Sequence, residues 1–137
     1  GYGALEWKLR KDERVIVMER TNALHVALPE PVDLVVIDLG WTRQHHILPV
    51  AQTLLSPSGC IISLIKPHYE AERSQLNNGV LPKKELPTVL HEVFAKLSLL
   101  GLVPACTTPS PIEGRKGNTE HLALFLSDNQ ATCQTDT

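Results

Sequence analysis

The chain has 137 residues, 42% hydrophobic and 20% charged, with a formal net charge of −2 and a pI near 6.3. Length and apolar content suit one globular domain with a real core and argue against disorder, while the balanced charge lacks the basic character of a stand-alone nucleic-acid binder. There is no run of about 18 apolar residues and no signal peptide. The 3 cysteines, Cys60, Cys106 and Cys133, show neither CxxC nor Cys/His metal spacing. The expectation is a cytoplasmic protein without a metal, with Cys60 and Cys106 as strand core residues.

In chain order, Gly1-Tyr2-Gly3 reads as a turn into a short helix over Ala4–Arg10, with Leu5 and Leu9 on one side. Val15–Met18 reads as a short strand, and Glu19-Arg20-Thr21-Asn22 as the polar segment leaving it. Pro29-Glu30-Pro31 punctuates before the run V-D-L-V-V-I-D-L-G at 32–40. Its middle, Leu34–Ile37, has no polar alternation, which is how a strand covered on both faces of a parallel sheet reads. Asp38 follows at once, where a carboxylate does nothing for a core. In open α/β sheets the crevice beyond the carboxyl ends of the strands is where ligands bind.

A helix follows, with Ile47, Val50, Ala51 and Leu54 on one face and Pro49 expected near its first turn. Ser56-Pro57-Ser58-Gly59 reads as a turn into a second buried strand, Cys60–Ile65, which ends on Lys66-Pro67. Two buried strands thus each deliver one charge, of opposite sign, at the same kind of position. His68–Pro82 reads as a long polar loop over the strand end, of the length of lids and binding loops. Leu86, Val89, Leu90, Val93, Phe94 and Leu97 make the clearest helical stripe, opened by Pro87 and closed by Gly101. Leu102–Thr107 reads as a strand, Thr108–Gly117 as a loop carrying Arg115 and Lys116, and His121–Leu126 as a last strand beginning next to Glu120. The pattern gives an α/β fold whose last two strands, joined without a helix, run antiparallel. The tail, Ser127–Thr137, is polar.

The ordered motifs G-Y-G-A-L-E-W-K-L-R at 1–10, E-R-T-N at 19–22, V-V-I-D at 35–38, L-I-K-P-H-Y-E at 64–70, T-P-S-P-I-E-G at 108–114 and G-N-T-E at 117–120 together resemble the FtsJ-type ribose 2′-O-methyltransferases. The likeness is nearest to the hemolysin/TlyA branch, which methylates cytidine riboses in ribosomal RNA. The resemblance implies a partial methyltransferase domain over 1–126 with a Rossmann-like class I fold, mostly parallel with one antiparallel strand and lacking its first strands. It implies S-adenosylmethionine as cofactor and ribosomal RNA or a ribosomal subunit as partner. Of the family's Lys-Asp-Lys-Glu catalytic set it places the Asp at Asp38, the second Lys at Lys66 and the Glu at Glu120. The first Lys, the Gly-rich cofactor loop and the RNA-binding S4 domain have no counterpart here. Tyr2, Asn22, Asp38 and Leu39 are the expected cofactor contacts, on the adenine side. Gly40-Trp41-Thr42-Arg43 departs from the family, which carries Ser and Phe after the Asp.

Each assignment has a plainer reading. Asp38 and Lys66 alone would be a rim ion pair worth about 0–1 kcal/mol, Asn22 a turn-stabilising side chain, and Tyr2 a frayed terminus. Lys83, Lys84, Arg115 and Lys116 serve either to touch RNA phosphates or as a solvated charge cluster. With two carboxylates and no second lysine beside it, Lys66 is expected to stay protonated. The rival function is a methyltransferase-like scaffold without catalysis. A membrane-active protein is disfavoured, since no basic amphipathic helix is present. The family strand that carries the Gly-rich loop is missing here, which the resemblance implies leaves an edge of the apolar Leu34–Ile37 strand open. A homo-oligomer through that edge, or a rearranged contact that covers it, is therefore expected.

Overall fold

The computed structural model describes residues 3–127, so the expectations for Tyr2 and for most of the polar tail lie outside the described residues. Its elements are α1 (Trp7–Arg10), β1 (Val32–Ile37), α2 (Gln44–Thr53), β2 (Leu55–Ile65), α3 (Pro67–Glu70), α4 (Leu86–Leu99), β3 (Cys106–Pro109) and β4 (His121–Leu126). One sheet has the order β1-β2-β4-β3. β1 and β2 are parallel, while β4 runs antiparallel to both β2 and β3. Three strands therefore share a direction and β4 opposes them, a Rossmann-like mixed sheet of the kind expected.

The core lies between one face of this sheet and the helices. Side chains alternate along β2 and β4, so Ile61, Ser63, Ile65, Ala123 and Phe125 are buried with Ile47, Leu48 and Ala51 of α2 and Val89, Val93 and Leu97 of α4. The α4 stripe forms as the spacing predicts. Its C-terminus closes with Gly101 at φ +75°, its N–H donating to Ser98 O and that of Leu102 to Leu97 O, a pairing that satisfies carbonyls the helix leaves orphaned. Pro49 falls in the second turn of α2, past the first turn expected for it.

Several expectations change. The Leu34–Ile37 run is covered on one face only: Ile37 is buried, but Leu34 and Val36 are 52% and 67% exposed. The helices of the core pack against the opposite face, where Ile37, Ile61, Ile65, Ala123 and Phe125 are buried. Val15–Met18 forms no strand among the described residues, and Ile16 is 80% exposed. β-forming residues make a strand only beside a partner, and among the described residues β1 has none on its outer edge. β2 is longer than expected because Leu55 already pairs with Val32, the Ser56–Gly59 stretch being taken up in an irregularity of the ladder. The third strand is shifted to Cys106–Pro109 and is exposed throughout, so Cys106 is an exposed thiol and Cys60 a half-buried one.

The supposed loop over 68–82 is largely ordered. It holds α3, a 3₁₀ turn at Arg73–Gln75 and a bridge between Asn77 and Val80. Among the described residues, no helix is long and apolar enough to cross a membrane.

Candidate active site

The topology itself assembles the charged set. Parallel β1 and β2 end on Ile37 and Ile65, delivering Asp38 and Lys66 at the same edge of the sheet. Antiparallel β4 starts where they stop, with His121 opposite Ile65, so Glu120 arrives beside Lys66. Lys66 Nζ lies 2.6 Å from Asp38 Oδ1. The Glu120 side chain is buried at 7% exposure.

Local sequence holds each group in place. Pro67 restricts Lys66 to an extended backbone and opens α3 at a position where its missing N–H is no loss. Gly114 is required for close approach, because a Cβ there would lie 2.6 Å from Cδ of Glu120. Asn118 is buried and staples the loops above: its Oδ1 accepts from Leu81 N at 3.0 Å and its Nδ2 donates to Gly79 O and Arg115 O at 3.1 and 2.9 Å. Burial alone would lower the Lys66 pKa, but the hydrogen bond and charge of Asp38, with Glu120 adding to them, raise it above the ordinary lysine value. Burial raises Glu120, the Lys66 ammonium opposing and Asp38 adding to the rise.

Two pockets flank this set. One, of about 280 Å³, is lined by Trp41, His68, Tyr69, Leu76, Gly79, Arg115, Lys116 and Asn118. Trp41 is 84% exposed, sits at φ +66°, and meets the Tyr69 ring at 4.9 Å. A bulky side chain in that backbone region costs about 1–3 kcal/mol, and such strain gathers at functional sites. The other pocket, of about 220 Å³, is an apolar slot of Ala23, Val26, Val35, Ile37 and Leu39 with Asp38 in its wall.

Of the sequence-derived candidates, Asp38, Lys66 and Glu120 meet, and Asp38 with Leu39 borders the apolar slot. Asn22 caps the 3₁₀ turn Ala23–His25, its Oδ1 accepting from Leu24 N at 3.0 Å. Arg115 and Lys116 line the aromatic pocket, and Lys116 Nζ also donates to Asn78 O at 2.8 Å. Lys83 and Lys84 are exposed in the turn before α4 and do not line that pocket. Sequence reasoning missed Tyr69, Glu70, Gly114 and Asn118, although all stand inside motifs it quoted. It noted Trp41 only as a departure. Among the described residues no three His, Cys, Asp or Glu side chains converge as a metal site.

Fold and site first define a class, a Rossmann-like α/β domain with its charged set at the carboxyl ends of parallel strands. The comparisons narrow it. The description FtsJ-like methyltransferase matches residues 1–125, and the chain belongs to that family. It is 37% identical over 131 residues to YqxC of Bacillus subtilis, spanning 89% of this chain and 46% of that one. It is 36% identical over 127 residues to the 16S/23S rRNA (cytidine-2′-O)-methyltransferase TlyA of Mycobacterium tuberculosis, spanning 88% and 47%. The chain thus spans about half the length of these relatives. The crystal structure of a protein from Lactococcus lactis that carries the hemolysin name superposes with a TM-score of 0.82 at 33% identity, covering 90% of this chain and 62% of that one.

Proposed function

We propose that this end of the sheet carries methyl transfer from S-adenosylmethionine to a ribose 2′-hydroxyl of ribosomal RNA, with cytidine as the nucleoside. The observation that carries the reading is the Lys66 ammonium held 2.6 Å from Asp38, with the buried Glu120 behind it and an aromatic, cationic pocket alongside. S-adenosylmethionine, when bound, supplies an electrophilic sulfonium methyl group. The apolar slot of Val35, Ile37, Leu39 and Ala23 fits a flat heteroaromatic ring. Its volume of about 220 Å³ falls below the ~300 Å³ at which sites begin to enclose a whole ligand. These residues therefore fit the adenine end, with Asp38 at the rim and the Asn22 amide available to donate toward the ring.

Lys66, protonated, has three N–H donors and no acceptor. It donates to the 2′-oxygen and aims a lone pair, while Asp38 and Glu120 hold the ammonium in place. With S-adenosylmethionine bound, the oxygen–methyl bond would form as the sulfur–methyl bond breaks, the sulfonium leaving as a neutral thioether, while the hydroxyl proton passes to Asp38, whose exposed carboxylate returns it to solvent. Trp41 and Tyr69 offer a stacking platform for the base, and Arg115 and Lys116 offer charge to the neighbouring phosphate; Lys83 and Lys84 reach phosphates further out.

Radiolabelled methyl transfer to ribosomal RNA, followed by digestion to nucleosides, tests this reading: label is expected in 2′-O-methylcytidine, and label confined to base methyl groups overturns it. The second reading, a scaffold that has lost catalysis, is favoured by the small slot and the firmly protonated lysine. Titration calorimetry separates the two, since the enzyme binds S-adenosylmethionine, if weakly, and a scaffold gives no heat.

A further inference from the structure

The helix after Asp38 has no cap of its own: Arg43 stands at its N-cap without a side-chain hydrogen bond. The missing acceptor comes from elsewhere in the chain. Glu70 Oε1, at the end of α3, accepts the backbone N–H of Gln44 at 2.7 Å. The Gln44 side chain in turn accepts from Ser63 Oγ, inside β2, at 2.7 Å, and both side chains of that bond are buried. A cap from a residue 26 positions away is a tie between two segments. One leaves β1 through Asp38 and Trp41; the other leaves β2 through Lys66 and Tyr69. Asp38 meets Lys66, and Trp41 meets Tyr69, across the same gap that the Glu70–Gln44 bond closes.

We propose that Glu70 is a positioning residue: by capping α2 from α3 it sets the distance between the two strand-end segments, and so holds Lys66 on Asp38 and Trp41 on Tyr69. It touches neither reacting group. The carboxylates that raise Lys66 are Asp38 and Glu120, and Glu70 is engaged with Gln44 instead, so a change it makes at Lys66 is transmitted through position. The neighbours facing Glu70 are Arg43, His46 and Lys96, and none of them replaces its bond to Gln44. The assignment rests on reading this edge of the sheet as the active site. Its readouts are taken without turnover, so failure of that reading and failure of this one are distinguishable.

The experiment compares wild type with Glu70→Gln, Glu70→Ala and Glu70→Asp in a Trp7→Phe background, where Trp41 is the only tryptophan. It follows the Lys66 pKa by NMR of labelled lysine and the Trp41 emission, with circular dichroism to confirm folding. Glu70→Gln keeps an acceptor oxygen at the same reach and should leave both signals at wild type. Glu70→Ala removes the acceptor and Glu70→Asp shortens it by a methylene. Each should lower the Lys66 pKa toward the ordinary lysine value and shift the Trp41 emission as the stack opens. If Glu70→Ala fails to fold, Glu70→Asp carries the test, because it keeps the charge and the polarity. Wild-type signals in a folded Glu70→Asp or Glu70→Ala would reduce Glu70 to a stabilising cap and overturn the proposal, as would loss of both signals in Glu70→Gln.

Discussion

Replacing Lys66 with alanine separates a catalytic pair from an ordinary one. In stability terms the pair is worth little: the Asp38 side chain is 65% exposed, so solvent screening confines the loss to about 0–1 kcal/mol. Glu120, more deeply placed and already raised in pKa, answers the loss of the ammonium by taking up a proton more readily, which softens the cost. The rate should respond on another scale. A group that orients the nucleophile contributes about 10²–10⁴-fold, or about 2.7–5.4 kcal/mol of barrier at 1.36 kcal/mol per decade. Urea unfolding of Lys66→Ala should therefore give nearly wild-type stability, while methyl incorporation into ribosomal RNA falls by two to four decades. Lys66→Arg should not restore it, because a guanidinium does not reproduce the compact ammonium. A variant that methylates at the wild-type rate would refute the assignment and leave Asp38 and Lys66 as a rim salt bridge.

Gly114→Ala should displace the Glu120 carboxylate and cost about 1–3 kcal/mol as overpacking; an unchanged denaturation midpoint would show that the loop yields freely. Burial lowers the pKa of both His68 and His121, with the Lys66 charge adding at His68. The unfolded chain then binds protons first, so stability is held above about pH 6.5 and lost as pH falls below it. His121→Gln should flatten that loss as pH falls below about 6.5, and Glu70 and Glu120, raised by burial, oppose it nearer the carboxylate range. An acid limb equally steep in the variant would assign the effect to other groups. The outer edge of β1, unpaired among the described residues and with Leu34 and Val36 exposed beside it, should drive self-association. Sedimentation should show it weakened in Val36→Lys, and a monomeric wild type would count against an edge contact.

What was legible from the residues alone was whatever one segment encodes by itself. The α4 stripe with Pro87 and Gly101 carries its own period and caps. The runs ending on Asp38 and Lys66 announce two strands with charges at their carboxyl ends, and the family resemblance placed Glu120 with them. Val15–Met18 and Leu34–Ile37 misled for a shared reason: residue type states a preference for pairing or cover, and only the assembled chain decides whether a neighbour is there. The 68–82 segment looked like loop because its short turns carry no apolar period, and part of its hold comes from outside it, through Asn118 and the Gln44 N–H that Glu70 accepts. Distances across the site belong to the tertiary structure for the same reason. Asp38, Lys66 and Glu120 are far apart in sequence and meet because two parallel strands end where an antiparallel one begins.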